Sequence, residues 1–188
     1  MIRQATMDDV EIISALIANY AQQGLLLPRA VQSICETLLN FRVAELDGKV
    51  VGVAALHILG DDLAEIRSLA IEGSAQGMGL GKALVAELFD LAELLRIPRV
   101  LALTYQEAFF TRCGFHVIEK GTLRQKIWKD CIHCRKFPIC DEIAMIRHTS
   151  AATLKNEVAD GGVRDQAAGG ADAKPEDLFI STRLSALM

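Results

Sequence analysis

The chain predicts a mixed α+β fold: a mostly antiparallel sheet containing one parallel strand–helix–strand unit. Three observations carry that expectation. Asp47-Gly48 stands between two runs rich in Val, Ile and Ala, the strongest short-range hairpin signal in the chain. Glu65–Lys82 reads as strand, glycine-rich turn and helix in immediate succession. Behind that helix, Val100-Leu101-Ala102-Leu103 is a nearly continuous apolar run, suited to a strand covered on both faces.

Taken in order, Ile2–Ala5 is a short strand. Thr6 is placed to cap the first helix, with Asp8 and Asp9 in a first turn where the helix dipole favours acids. That helix presents Val10, Ile13, Leu16, Ile17 and Tyr20 at helical spacing and ends near Gly24, a C-cap residue. Leu25-Leu26-Leu27 before Pro28 reads equally as a core plug or as a wall of a substrate site. A second short helix covers about 29–39. Phe41–Leu46 and Lys49–Leu59 form the hairpin, and Gly60-Asp61-Asp62 turns into the strand 63–72. Ile66, Leu69 and Ile71 are its apolar positions, with Ala70 breaking strict alternation. The following helix carries Leu80, Ala83, Leu84, Leu88, Leu91 and Leu95 and closes at Arg96-Ile97-Pro98. Arg99–Thr104 is a strand, 106–112 a short helix, 115–119 a strand and 141–147 the last strand. From about Ser150 the composition turns rich in Ala, Gly, Asp and Lys, as in a linker, so 1–149 is read as the domain and 150–188 as a tail.

Bulk properties narrow the function. Of 188 residues, 51% are hydrophobic, enough for one good core. A net charge of -4 without a basic stripe argues against a nucleic-acid partner. No apolar run approaches the ~20 residues of a membrane span, and the N-terminus lacks a secretory apolar region. Five cysteines, an odd number, without such a signal favour a reducing cytoplasm.

The turn after Glu65–Glu72 is the most specific local feature. Gly73, Gly77, Gly79 and Gly81 let successive N–H groups face one concavity, and the helix start adds partial positive charge, so the stretch suits a phosphate or pyrophosphate. Gly81-Lys82 is followed by Ala83, so the hydroxyl that a Walker loop uses for magnesium is missing. The glycines alternate, unlike the dinucleotide fingerprint. Gln76-x-x-Gly79-x-Gly81 resembles instead the acetyl-CoA pyrophosphate loop, Q/R-x-x-G-x-G/A, of the GNAT acyltransferases. Phe109-Phe110-Thr111-Arg112-Cys113-Gly114-Phe115 is similar to that family's F-Y-x-x-x-G-F segment, and the order of elements over 2–147 matches. Within the family, Glu65–Ile71, Leu103-Thr104-Tyr105-Gln106-x-x-Phe109-Phe110, Lys126–Cys134 and Lys136–Met145 resemble the amino-acid N-acetyltransferases that make N-acetylglutamate for arginine synthesis. They do so in the short form lacking an amino-acid-kinase-like domain.

The resemblance implies a sheet splayed at a V between strands 4 and 5, with acetyl-CoA lying in the gap. It implies that Leu69, Ala70 and Ile71 pair with the pantetheine arm and that N–H groups of Gln76, Gly77, Met78, Gly79, Leu80, Gly81 and Lys82 hold the pyrophosphate. It places the general base at Glu65 and the thioester-oxygen donor at the N–H of Leu69. Arg67, two residues from Glu65, shares its strand face and suits an acceptor carboxylate; an ion pair with Glu65 is the competing reading. Ser68, Thr104 and Tyr105 are expected on the acceptor side; Arg29, Arg112, Lys126 and Lys129 are further cations. Phe110 stands where many family members carry a tyrosine that protonates the thiolate, so Tyr105, Thr104, Ser68 or water takes that role, or none is needed.

The implied activity is acetyl transfer to an amino acid, L-glutamate first, with another amino acid or amine as alternative, and with a non-catalytic acetyl-CoA-sensing module as the alternative class. A homodimer stays open. Cys131-x-x-Cys134 and Cys140, with His133 or His148, match part of a zinc site by spacing, against a reduced cluster packed around Trp128 and Phe137.

Overall fold

In the computed structural model, which describes residues 1–123, 131 and 139–152, one seven-stranded sheet forms the body. Its strands are β1 (Ile2–Gln4), β2 (Phe41–Leu46), β3 (Lys49–Ile58), β4 (Leu63–Ile71), β5 (Arg99–Thr104), β6 (His116–Val117) and β7 (Ile143–His148). Its helices are α1 (Val10–Gln22), α2 (Val31–Glu36), α3 (Leu80–Leu94) and α4 (Glu107–Arg112). The order across the sheet is β1-β2-β3-β4-β5-β7-β6, antiparallel throughout except for β4 and β5. The expectations for Trp128, His133, Cys134, Phe137, Lys126, Lys129 and the segment 153–188 lie outside the described residues.

The expected V is real. β4 pairs with β5 only through Leu63↔Arg99, Ala64↔Val100 and Glu65↔Leu101. Beyond Glu65, β4 runs on beside β3 alone, while β5 runs on beside β7. Two cores hold the faces apart. On one, Leu84, Val85, Leu88 and Phe89 of α3 bury against Ala64, Ile66 and Val100. On the other, Ile13, Leu16 and Ile17 of α1 bury against Val43, Val53, Ala55 and Ala70.

The irregular apolar spacing of β4 has a structural cause. Val53 pairs with Ala70 and Ala55 with Arg67, so Ser68 and Leu69 together oppose Ala54, a β-bulge. Ser68 takes φ +55°, a left-handed conformation that costs a non-glycine residue about 1 kcal/mol. The extra residue reverses the alternation: Ile66 faces α3, and after the bulge Leu69 and Ile71 face it too, while Ala70 faces α1.

The end of α1 is as expected. Gly24 (φ +73°) lets Leu25 N–H reach Tyr20 C=O at 3.0 Å and Gly24 N–H reach Ala21 C=O at 3.0 Å, a Schellman close. The start holds too, with one change: Thr6 is the N-cap and Asp8 and Asp9 are in the first turn, but that turn, Met7–Asp9, is 3-10, and Asp9 also serves an ion pair. Arg3 forks onto both Asp9 oxygens at 2.7 and 2.9 Å, and Thr6 N–H adds a bond at 2.8 Å. The Arg3 bond leads in lowering the Asp9 pKa to about 2. A depressed carboxylate pKa adds stability that is present above the unfolded value of ~4 and lost as pH falls through about 2. Asp9→Asn is therefore expected to cost about 2 kcal/mol in urea unfolding at pH 7. The gap to wild type should close toward pH 2.

Candidate active site

The gap between β4 and β5 opens a cleft of about 1220 Å³. One end is the glycine loop. Gly77 and Gly79 are left-handed, at φ +79° and +80°, with nothing within 4 Å of where a Cβ would stand. These glycines are there for backbone direction, not for tight packing. Gly79 is the N-cap of α3 and no side chain caps that helix. The first-turn N–H groups of Leu80, Gly81 and Lys82 have no intrahelical carbonyl ahead of them. At Gly81 the constraint is packing: a Cβ would meet the Phe109 ring at 3.4 Å. Beside the loop, β4 from Ile66 to Ile71 has β3 on one side and, among the described residues, no strand on the other.

A pyrophosphate carried on a long amide-bearing arm fits this combination. Uncapped N–H groups suit the charge and an open strand edge suits the arm. Gln76, Gly77, Gly79, Leu80, Gly81 and Lys82 line the cleft with Leu69 and Ile71. Ala70 is buried against α1, and the Met78 side chain is 58% exposed; neither lines the cleft, leaving only their main chain for that purpose.

The cleft reaches Glu65, where β4 parts from β5. Glu65 is 3% exposed, and Arg67 Nε donates to its Oε2. The ion-pair reading of these two residues is therefore realised, with both still on the cleft wall. Arg29 completes the cationic side. It is half-buried, its Nη2 donates to Ser33 Oγ at 3.0 Å and Thr37 Oγ1 at 3.2 Å, and its guanidinium lies 5.3 Å from the Phe41 ring centre. Burial first, then the Arg67 charge, pushes its pKa down. Among the described residues no carboxylate bonds it.

The remaining residues have defined places. Thr104, buried, accepts from Gln106 N–H at 2.9 Å and so heads α4. Tyr105 donates to Asp141 Oδ1 at 2.7 Å. Phe110 is 5% exposed and packs edge-on against Phe109 and Phe115 at 5.1 and 5.2 Å, so the place of the usual tyrosine is filled by an aromatic trio. Leu25, Leu26 and Leu27 all line the cleft, and only Leu26 also packs on the core, which favours the wall reading. Arg112 lines the cleft as well.

Cys131 and Cys140 line the cleft, and Cys140 Sγ lies 3.5 Å from Glu142 Oε2. His148 stacks on His116 at 5.6 Å and is not among the lining residues. Among the described residues no group of three or more His, Cys, Asp or Glu could hold a metal, so the zinc expectation finds no support there.

Two contributions escaped the sequence reading. Arg29 was one unranked cation among several, because only the fold turns the α1–α2 connector into the cleft. Tyr20 counted as core by its helical spacing, yet its hydroxyl donates to Ile71 C=O at 2.5 Å and accepts from Gln76 Nε2 at 2.6 Å.

A splayed sheet with an open strand edge, an uncapped glycine loop at its mouth and a buried carboxylate where the strands part suit a long phosphate-bearing ligand with a proton acceptor beside it. The Acetyltransferase (GNAT) family model matches residues 18–115, and the chain belongs to that family. An uncharacterized N-acetyltransferase of Chlorobaculum tepidum is 38% identical over 146 residues, covering 78% of this chain and 94% of that protein. An amino-acid acetyltransferase of Mycobacterium tuberculosis is 37% identical, covering 74% and 80%. Among solved structures, Rv2747 from Mycobacterium tuberculosis in complex with CoA and NLQ superposes with a TM-score of 0.70 at 33% identity, covering 79% of this chain and 98% of that one. N-acetylglutamate synthase from Neisseria gonorrhoeae, complexed with coenzyme A and N-acetyl-glutamate, gives 0.69 at 30% identity; the alignment covers 79% of this chain and 34% of the synthase.

Proposed function

We propose that this acetyltransferase acetylates the α-amino group of an amino acid, with L-glutamate the favoured acceptor, the first step of arginine biosynthesis. The observation that carries the reading is the convergence of Glu65, Arg67 and Arg29 on the wall of the one cleft that also holds the glycine loop. An acceptor carboxylate asks for a cation, and the guanidinium fork of Arg29 suits it. The names of the relatives point the same way.

Acetyl-CoA supplies the acetyl thioester. Glu65 takes a proton from the acceptor ammonium, directly or through water, freeing the nitrogen lone pair. As the N–C bond forms, the N–H of Leu69 donates to the thioester oxygen; as the C–S bond breaks, CoA leaves as the thiolate and the nitrogen gives up its second proton, through water, to that thiolate, so that amide and CoA thiol are the products. The bulge at Ser68–Leu69, where the regular pairing of β4 with β3 shifts, supports that assignment. Arg67 holds the Glu65 carboxylate in place, and Arg29 takes an acceptor carboxylate. Leu25 and Leu27 shield this end from water.

The test is CoA-thiol release from acetyl-CoA with each of the twenty amino acids. Release with glutamate far above the rest supports the full reading. Release with another amino acid keeps the reaction and removes glutamate. Silence with all twenty, alongside tight CoA binding, overturns the enzyme reading in favour of a sensor.

A further inference from the structure

Tyr20 joins the two halves of the cleft. Its ring belongs to the α1 core, packed with Ile13, Leu16 and Ile17. Its hydroxyl reaches the end of β4, donating to Ile71 C=O at 2.5 Å and accepting from Gln76 Nε2 at 2.6 Å. Gln76 Nε2 lies 3.5 Å from the same carbonyl, closing a three-membered polar cluster. Gln76 heads the glycine loop and is otherwise exposed. A free glutamine side chain there would forfeit up to ~2 kcal/mol of rotamer entropy when a ligand ordered it. Held by a tyrosine anchored in a core, it is ordered beforehand. The main-chain carbonyl of Tyr20 accepts Leu25 N–H at 3.0 Å, and the Leu25–Arg29 wall of the cleft starts from that bond.

We propose that Tyr20 is a positioning residue for the acetyl-CoA end: its hydroxyl fixes Gln76 and the last carbonyl of β4, while its main chain sets where the acceptor wall begins. Tyr20 acts through Gln76 and does not touch the reacting atoms. The proposal rests on reading the Gln76–Lys82 loop as the pyrophosphate site.

The experiment compares Tyr20→Phe, Gln76→Ala and the double variant by calorimetric CoA binding and by steady-state kinetics at saturating acceptor. Tyr20→Phe keeps the ring and removes only the hydroxyl. It should weaken CoA about 3- to 10-fold, the ratio expected from about one net hydrogen bond. The loss should fall on KM for acetyl-CoA and not on kcat. The melting temperature should fall by no more than about 2–4 °C. The double variant should bind CoA no worse than the weaker single one, because the hydroxyl has nothing left to position. Wild-type CoA affinity in Tyr20→Phe with a weakened Gln76→Ala overturns the proposal, as do effects that multiply in the double variant. If both single variants bind CoA like wild type, the positioning proposal fails while the main-chain reading of the loop stands; failure of the wild-type protein to bind CoA would remove that reading instead.

Discussion

Glu65→Gln is expected to lower kcat about 10²- to 10³-fold at pH 7, within the range by which a positioned general base speeds proton transfer. The acceptor ammonium has a pKa of ~8 or above, so at pH 7 most of it carries the proton that Glu65 would remove. Raising the pH supplies free amine without the base. The variant should therefore recover about tenfold per pH unit until the amine is deprotonated, while wild type gains less. The pH recovery separates chemistry from architecture. Glu65 is buried and receives Arg67 Nε, and losing that acceptor outright would strand a half-buried guanidinium. Glutamine keeps an oxygen for the bond, so a folded variant with unchanged near-UV dichroism is expected. A kcat loss constant from pH 7 to pH 10 would mean that Glu65 serves only to hold Arg67.

Arg29→Met should raise KM for the acceptor about 10- to 100-fold, the range of a charge-assisted hydrogen bond of ~1.5–3 kcal/mol. KM for acetyl-CoA should stay within about twofold. Methionine keeps an apolar stem over Phe41 and drops the charge. The sign of the stability change is informative. Burial and Arg67 both push the Arg29 pKa down, so folding works against its positive charge at neutral pH. Removing that charge should leave the melting temperature at or above wild type, offset in part by the lost bonds to Ser33 and Thr37. A residue that costs stability and gains it back on binding is what a carboxylate site calls for. Arg29→Lys should fall between the two, since an ammonium lacks the fork. An unchanged acceptor KM in Arg29→Met would remove Arg29 from the acceptor site.

Much of this was legible in the residues. Gly24 as a C-cap, Asp47-Gly48 as a hairpin turn and the alternating glycines after β4 are short-range signals, because turn dihedrals depend on the few residues that adopt them. The bulge also left a trace: Ile66 to Leu69 is a three-residue step in a strand that otherwise steps by two. Reading it as broken alternation missed the register shift. Tyr20 misled for the opposite reason. Its helical spacing with Ile13 and Ile17 was sound, and its ring is in the core, but spacing says nothing about where a phenol's oxygen ends. The cysteine reading is undecided by the described residues, since Cys134 is not among them.

Taken alone, the sequence determined the elements, their order, the family resemblance, and a glycine-rich loop followed at a distance by an aromatic segment. Periodicity, turn chemistry and glycine placement are local, and each acts within about one turn or one strand. The tertiary structure decided which residues meet. Glu65 lies at the apex because β4 leaves β5 after three paired residues. Leu69 and Ile71 face α3 because one extra residue reverses the pleat. Arg29 faces Arg67 because the Schellman turn at Gly24 carries the connector into the cleft. Glu65 and its β5 partner Leu101 are 36 positions apart, Arg29 and Arg67 38, and only the packed sheet brings them together.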